Sequence, residues 1–193
     1  MMSVVISRSI ASGPHVRVVP AHPKYEAEFL ALAHESRELH GEWVTAPTTA
    51  VSFRAYVARV GTIDLSADHT GFFLLSERRL IGVVNINHII RAALESGFVG
   101  YYAFSGGEGR GLMTEGLGLV VDYAFSELGL HRLEANIQPE NKPSKALVQR
   151  VGFRYEGFSP QYLRIGREWK DHERWAILAG ERDLPGQVAT RGG

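Results

Sequence analysis

Apolar and polar positions alternate over His15–Val19 (HVRVV), which predicts a first strand. From Pro23 to about Val44 the spacing changes. Tyr25, Phe29, Leu32, Ala33 and Leu39 recur at helical intervals, and Pro23 suits a helix start. A second helix is predicted over Val51–Val60, with Phe53, Tyr56, Val57 and Val60 on one face. Thr70–Leu75 and Leu80–Ile90 read as two β-rich runs joined by the polar turn Ser-Glu-Arg-Arg, the second long enough to curve or bulge. Phe98–Phe104 (FVGYYAF) is apolar and aromatic on both faces, as a central strand is. After a glycine-rich stretch, Leu117, Val121, Ala124 and Leu128 mark a helix over Met113–Leu128, stopped by Gly129. Arg132–Gln138 reads as a strand. Pro143–Val151 reads as a short helix, with Asn141 as N-cap and Gly152 as its stop. Phe153–Leu163 and Arg174–Leu178 complete the set as two closing strands. The order β, α, α, three strands, α, β, α, β, β predicts an α/β fold, a mixed sheet flanked by helices.

No repeat or linker divides this pattern, so one domain is expected over 15–180. Residues 1–14 read as a loose leader, and 181–193 as a polar, glycine-rich flexible tail. The length of 193 residues suits a single domain with a sizeable core. Lys+Arg and Asp+Glu both number 21, and the resulting zero net charge removes the usual electrostatic argument for nucleic acid or an anionic membrane surface. With no cysteine, a disulfide, a thiolate metal site and a Cys nucleophile are all excluded; a reducing cytoplasm fits. No apolar run approaches the roughly 20 residues that span a bilayer.

The candidate chemistry lies where the buried strand FVGYYAF, the loop SGGEGRG and a helix start follow one another. A helix N-terminus carries free backbone N–H groups and roughly half a positive charge. Glycine lets such a backbone approach a phosphate closely. Gly106, Gly107, Gly109 and Gly111 form the loop, and Arg110 adds charge. Taken alone, the loop reads either as a cradle for a phosphate or pyrophosphate or as a flexible strand-to-helix turn. It is not a Walker loop, because no Gly-Lys-Ser/Thr follows. Thr114 breaks the dinucleotide pattern G-x-G-x-x-G.

Three blocks in order make the chain resemble the GNAT acetyltransferases, and within them the RimJ/RimL-like ribosomal-protein N-terminal acetyltransferases. The family's pyrophosphate motif Gln/Arg-x-x-Gly-x-Gly/Ala falls on Glu108-Gly109-Arg110-Gly111-Leu112-Met113, with Glu108 and Met113 departing from it. The run Gly111 to Glu115 is itself similar to that branch. The second block is Asn141-Lys142-Pro143-Ser144, Val151-Gly152-Phe153 and Glu156-Gly157. The third is Tyr162 to Gly166 followed by Trp169-Lys170-Asp171-His172, which resembles the branch's closing hairpin.

The resemblance implies the GNAT fold over about 15–180, with its fourth and fifth strands splayed. It implies acetyl-CoA as cosubstrate, without a metal. The pantetheine arm would then pair with backbone at Tyr102, Ala103 and Phe104. The pyrophosphate would lie on the segment Glu108, Gly109, Arg110, Gly111, Leu112, Met113 and Thr114, chiefly on N–H groups from Gly109 onward. Asn141 would reach the pantetheine or the thioester, act as a helix cap, or both.

The family attacks the thioester directly, and the absence of cysteine and of a G-x-S-x-G elbow agrees with that. Direct attack needs a neutral amine, a polarised carbonyl and a proton for a thiolate whose pKa is about 8.5. Ser144 is the expected acid, with a first-turn cap as its alternative role. Glu134 is the expected base, acting through ordered water; the alternative is a solvated strand charge or an ion pair with Arg132. Glu115 is read as complementing the helix dipole. His172 is read as structural, and no histidine spacing suggests a metal. The acceptor implied is the N-terminal α-amine of a ribosomal or other protein. The alternatives are a small amine, antibiotic or polyamine, or a non-catalytic acyl-CoA-binding regulator. The oligomeric state stays open, with a homodimer among the options.

Overall fold

The computed structural model describes residues 9–61, 63 and 66–181. The expected leader up to residue 8 and the tail from residue 182 lie outside the described residues. Eight strands form one sheet in the order β1-β2-β3-β4-β5-β6-β8-β7: β1 Ala11–Ser12, β2 Arg17–Pro20, β3 Thr70–Ser76, β4 Arg79–Ile90, β5 Ser96–Ala103, β6 Arg132–Ile137, β7 Arg154–Ile165 and β8 Glu168–Leu178. Every neighbouring pair is antiparallel except β5 and β6, which run parallel. The mixed α/β architecture read from the periodicity is therefore the one observed. Ala11–Ser12 joins the sheet as β1, which turns back to pair with β2.

Helices cover both faces. On one side, α4 (Leu112–Ser126) and α5 (Lys142–Val151) bury Leu117, Val121 and Val148 against Phe72, Val84 and Leu133. On the other, α1 (Glu26–Glu35) and α3 (Ala50–Val60) pack Phe29, Phe53 and Val57 on Phe73, Val83 and Phe104. Phe29 touches four other aromatic rings there, so this half of the core is locked by edge and tilted ring contacts. Among the described residues no helix is long and apolar enough to cross a membrane.

Two differences from the expected elements shape the site. The helix predicted from Pro23 to Val44 is broken. A single 3₁₀ turn leads into α1, and α1 stops before Ser36, which is followed only by the one-turn α2, Arg37–His40. Ser36 is fully buried, and its Oγ accepts the N–H of Ser105 at 2.9 Å, tying the helix break to the loop after β5. Gly41, at φ 49°, then ends α2 and swings Trp43, Val44 and Thr45 over the sheet. The second closing strand begins at Glu168, not Arg174, because β7 and β8 form a long hairpin around Gly166.

Candidate functional site

The register opens the sheet at one place. β5 and β6 pair only through Ser96–Arg132, Gly97–Leu133 and Phe98–Glu134; beyond that β5 continues to Ala103 and β6 to Ile137 without bonding each other. A cavity of about 280 Å³ occupies this gap. Its walls come from both strands, from Asn141 and Ser144 at the start of α5, from Trp43 to Thr45, and from Leu163 and His172 of the closing hairpin.

Backbone groups of β5 face this gap alternately. The Phe104 N–H donates to the Ile81 carbonyl of β4 at 2.9 Å. In an antiparallel pair, that orients the backbone groups of Phe104 and Tyr102 towards β4 and those of Tyr101 and Ala103 into the gap. Of the expected positions Tyr102, Ala103 and Phe104, only Ala103 turns its backbone into the gap, together with Tyr101. The Ala103 carbonyl is occupied as well, accepting from Nε2 of the buried His40 at 2.8 Å, which leaves its N–H.

The glycine loop continues the chain past the end of β5 and leads into α4. Gly107 touches β4 so closely that a Cβ would strike the Ile81 carbonyl, so its role is packing. Gly111 caps the helix at φ 76° with open space around it and no side-chain cap. The first helical bond runs from Glu115 N–H to the Gly111 carbonyl, which leaves the N–H groups of Leu112, Met113 and Thr114 at the open helix end. The departures from the family motif acquire a physical account here. The Met113 side chain is buried over Gly82 of β4, where a Cβ would collide with its Sδ, so only its amide can serve a ligand. Arg110 bends back to donate to the Gly106 carbonyl at 2.7 Å. Glu108 is exposed. Glu115 is engaged elsewhere: its Oε1 accepts the N–H groups of His15 and Val16 at 2.9 and 2.8 Å and pins the turn before β2.

At the other end of the cavity, Asn141 Oδ1 accepts the Ser144 N–H at 3.1 Å, so the capping role is filled and its Nδ2 is left over. Lys145 anchors this turn to β8 through Glu173 at 2.9 Å. Ser144 Oγ lies 2.6 Å from the hydroxyl of Tyr101, a partner sequence reading did not find. Alternation along FVGYYAF puts Tyr101 on the α4–α5 face, which was the available signal; the meeting with Ser144 depends on tertiary packing. Burial pushes the hydroxyls of Tyr101 and Tyr102 above the ordinary tyrosine range, so both stay protonated at neutral pH.

Glu134 occupies the last paired position of the closed end, outside the cavity walls, and accepts from Arg132 Nε at 2.8 Å. Arg132 also grips Glu156 and holds that carboxyl below its usual range, so Glu134 belongs to an ion-pair network. Among the described residues no group of three or more His, Asp or Glu is gathered to hold a metal.

The overall fold is shared with known proteins. The acetyltransferase (GNAT) domain family matches residues 15–154, and the chain belongs to that family. It is 46% identical over 110 residues to the Probable N-acetyltransferase YjcK of Bacillus subtilis, a match covering 57% of this chain and 61% of that one. It is 36% identical over 125 residues to the [Ribosomal protein uS5]-alanine N-acetyltransferase of Escherichia coli, covering 62% and 64%. The chain thus spans less than two thirds of the length of these two curated relatives. The structure of Mycobacterium smegmatis RimJ in complex with CoA-disulfide superposes with a TM-score of 0.80 at 26% identity, covering 88% of this chain and 84% of that one.

Proposed function

We propose that the protein is an N-acetyltransferase that moves acetyl from acetyl-CoA to a primary amine by direct attack, with a protein N-terminal α-amine as acceptor. One observation carries this reading: the gap between β5 and β6 has unclaimed backbone amides along one wall and a Tyr–Ser hydroxyl pair in its lining, and the loop that leaves β5 opens into a helix with free N-terminal amides. A carrier with a diphosphate at one end and an amide-bearing arm at the other matches both sets of donors. The N–H groups from Gly109 to Thr114 hold the diphosphate. The N–H groups of Tyr101 and Ala103 pair with the arm, and Asn141 Nδ2 donates to it. As the C–S bond breaks, Ser144 Oγ, held by Tyr101, gives the departing sulfur its proton. The choice of acceptor is supported by one relative, a ribosomal protein uS5-alanine N-acetyltransferase; the polyamine alternative is supported by another, 28% identical over 116 residues, a Spermidine N(1)-acetyltransferase.

Thiol release from acetyl-CoA, measured against peptides and polyamines, tests this directly. A peptide beginning Ala or Ser should exceed spermidine in kcat/KM by about tenfold or more, which is about 1.4 kcal/mol of discrimination. Equal or reversed preference would reject the peptide acceptor. Stabilisation by acetyl-CoA with no thiol released by any amine would make the protein an acyl-CoA-binding regulator.

A further inference from the structure

An amine that attacks a thioester becomes a strong acid as the new bond forms, so a group in the cleft must accept its proton. With Glu134 held outside the cavity, that group is unassigned. Among the described residues that wall the cavity there is no Asp or Glu; the titratable ones are Tyr101, Tyr102 and His172. The two tyrosines are buried, protonated donors.

His172 lies on β8, opposite Ser159, where the β7 register slips between Ser159 and Leu163. It is 3% exposed, yet it forms part of the cavity wall. Its Nδ1 is 2.9 Å from the Lys170 carbonyl. A carbonyl only accepts, so Nδ1 carries the proton, and in the neutral ring the lone pair is on Nε2. Nε2 makes no hydrogen bond with the described residues.

We infer that His172 Nε2 is the proton acceptor for the incoming amine, an inference that rests on the acetyl-transfer reading above. The amine nitrogen bonds to the thioester carbon, its N–H proton passes to Nε2, and the C–S bond breaks. The sulfur receives a proton from the Tyr101–Ser144 pair. Solvent then takes the proton from the imidazolium and restores the hydroxyl pair, so that one proton has moved from nitrogen to sulfur. The Lys170 carbonyl does two jobs: it fixes the tautomer, and it stabilises the N–H of the charged ring.

His172→Asn separates catalysis from structure. The asparagine amide keeps a donor for the Lys170 carbonyl and removes the base. Thiol release with the best acceptor peptide should show kcat lowered about 10²- to 10⁴-fold, with acetyl-CoA affinity unchanged. A variant that binds acetyl-CoA normally and keeps kcat within about threefold of wild type would overturn the assignment. If that variant does not bind acetyl-CoA, His172→Ala with added imidazole decides: imidazole should restore thiol release by about tenfold or more, and no restoration would overturn the assignment. Wild-type protein releasing no thiol with any amine rejects the acetyl-transfer reading itself; wild-type turnover with an undiminished asparagine variant rejects only the role of His172.

Discussion

A Gly111→Val protein should melt cooperatively but fail to bind acetyl-CoA. Gly111 caps α4 at φ 76°, a region a β-branched residue enters only at a cost of about 1–2 kcal/mol. Nothing crowds the position, so the cost is relieved by rotating the loop rather than by disturbing the core. That rotation carries away the amides of Leu112 and Met113, which this account aims at the diphosphate. Hydrogen bonds to a charged group are each worth about 1.5–3 kcal/mol, so losing two weakens binding by roughly 100- to 10,000-fold. Calorimetric titration of acetyl-CoA, with a thermal melt as control, measures it. An affinity within about threefold of wild type would separate the loop from the cosubstrate.

The second large effect concerns the sulfur. Ser144→Ala removes the hydroxyl that lies 2.6 Å from Tyr101, so kcat should fall about 100-fold or more while acetyl-CoA affinity holds. Tyr101→Phe removes only the bond that orients Ser144, worth about 1 kcal/mol, and should cost roughly fivefold. The ranking is diagnostic. A larger loss in Tyr101→Phe than in Ser144→Ala would make the tyrosine hydroxyl the proton donor, and wild-type turnover in both would remove the pair from the chemistry. Burial favours the neutral form of Tyr101, so its donor capacity should persist across the whole pH range of the assay.

The parts of this site that could be read from the chain are those set by local geometry. The glycines before Leu112, the Asn-Lys-Pro-Ser cap of α5 and the apolar run through β5 each declare themselves within a few residues, since turns, caps and central strands have local chemical requirements. Strand alternation placed Glu134 on a face correctly, but not at a depth. Whether it stands in the gap or at the closed end depends on its pairing with Phe98, a register between segments more than thirty residues apart. The same limit hid Tyr101, whose partner comes from α5, and His172, whose tautomer is set by a carbonyl inside a hairpin. The long first helix misled for a different reason. Its apolar spacing continues past Ser36, but a buried hydroxyl claimed by the Ser105 amide outweighs local helix preference. The polar first half of β8 has no periodicity to declare it, because its pairing with β7 lies at the sheet edge, where burial leaves no apolar signature; only the resemblance to a closing hairpin marked it.

A crystal structure of the protein with coenzyme A bound tests the central claim most directly. Diphosphate oxygens should lie about 2.7–3.2 Å from the amides of Leu112, Met113 and Thr114. The pantetheine arm should run between β5 and β6, bonded to Tyr101 and Ala103, with its sulfur beside Ser144. Coenzyme A seated elsewhere, with that gap closed by side chains, would contradict the account.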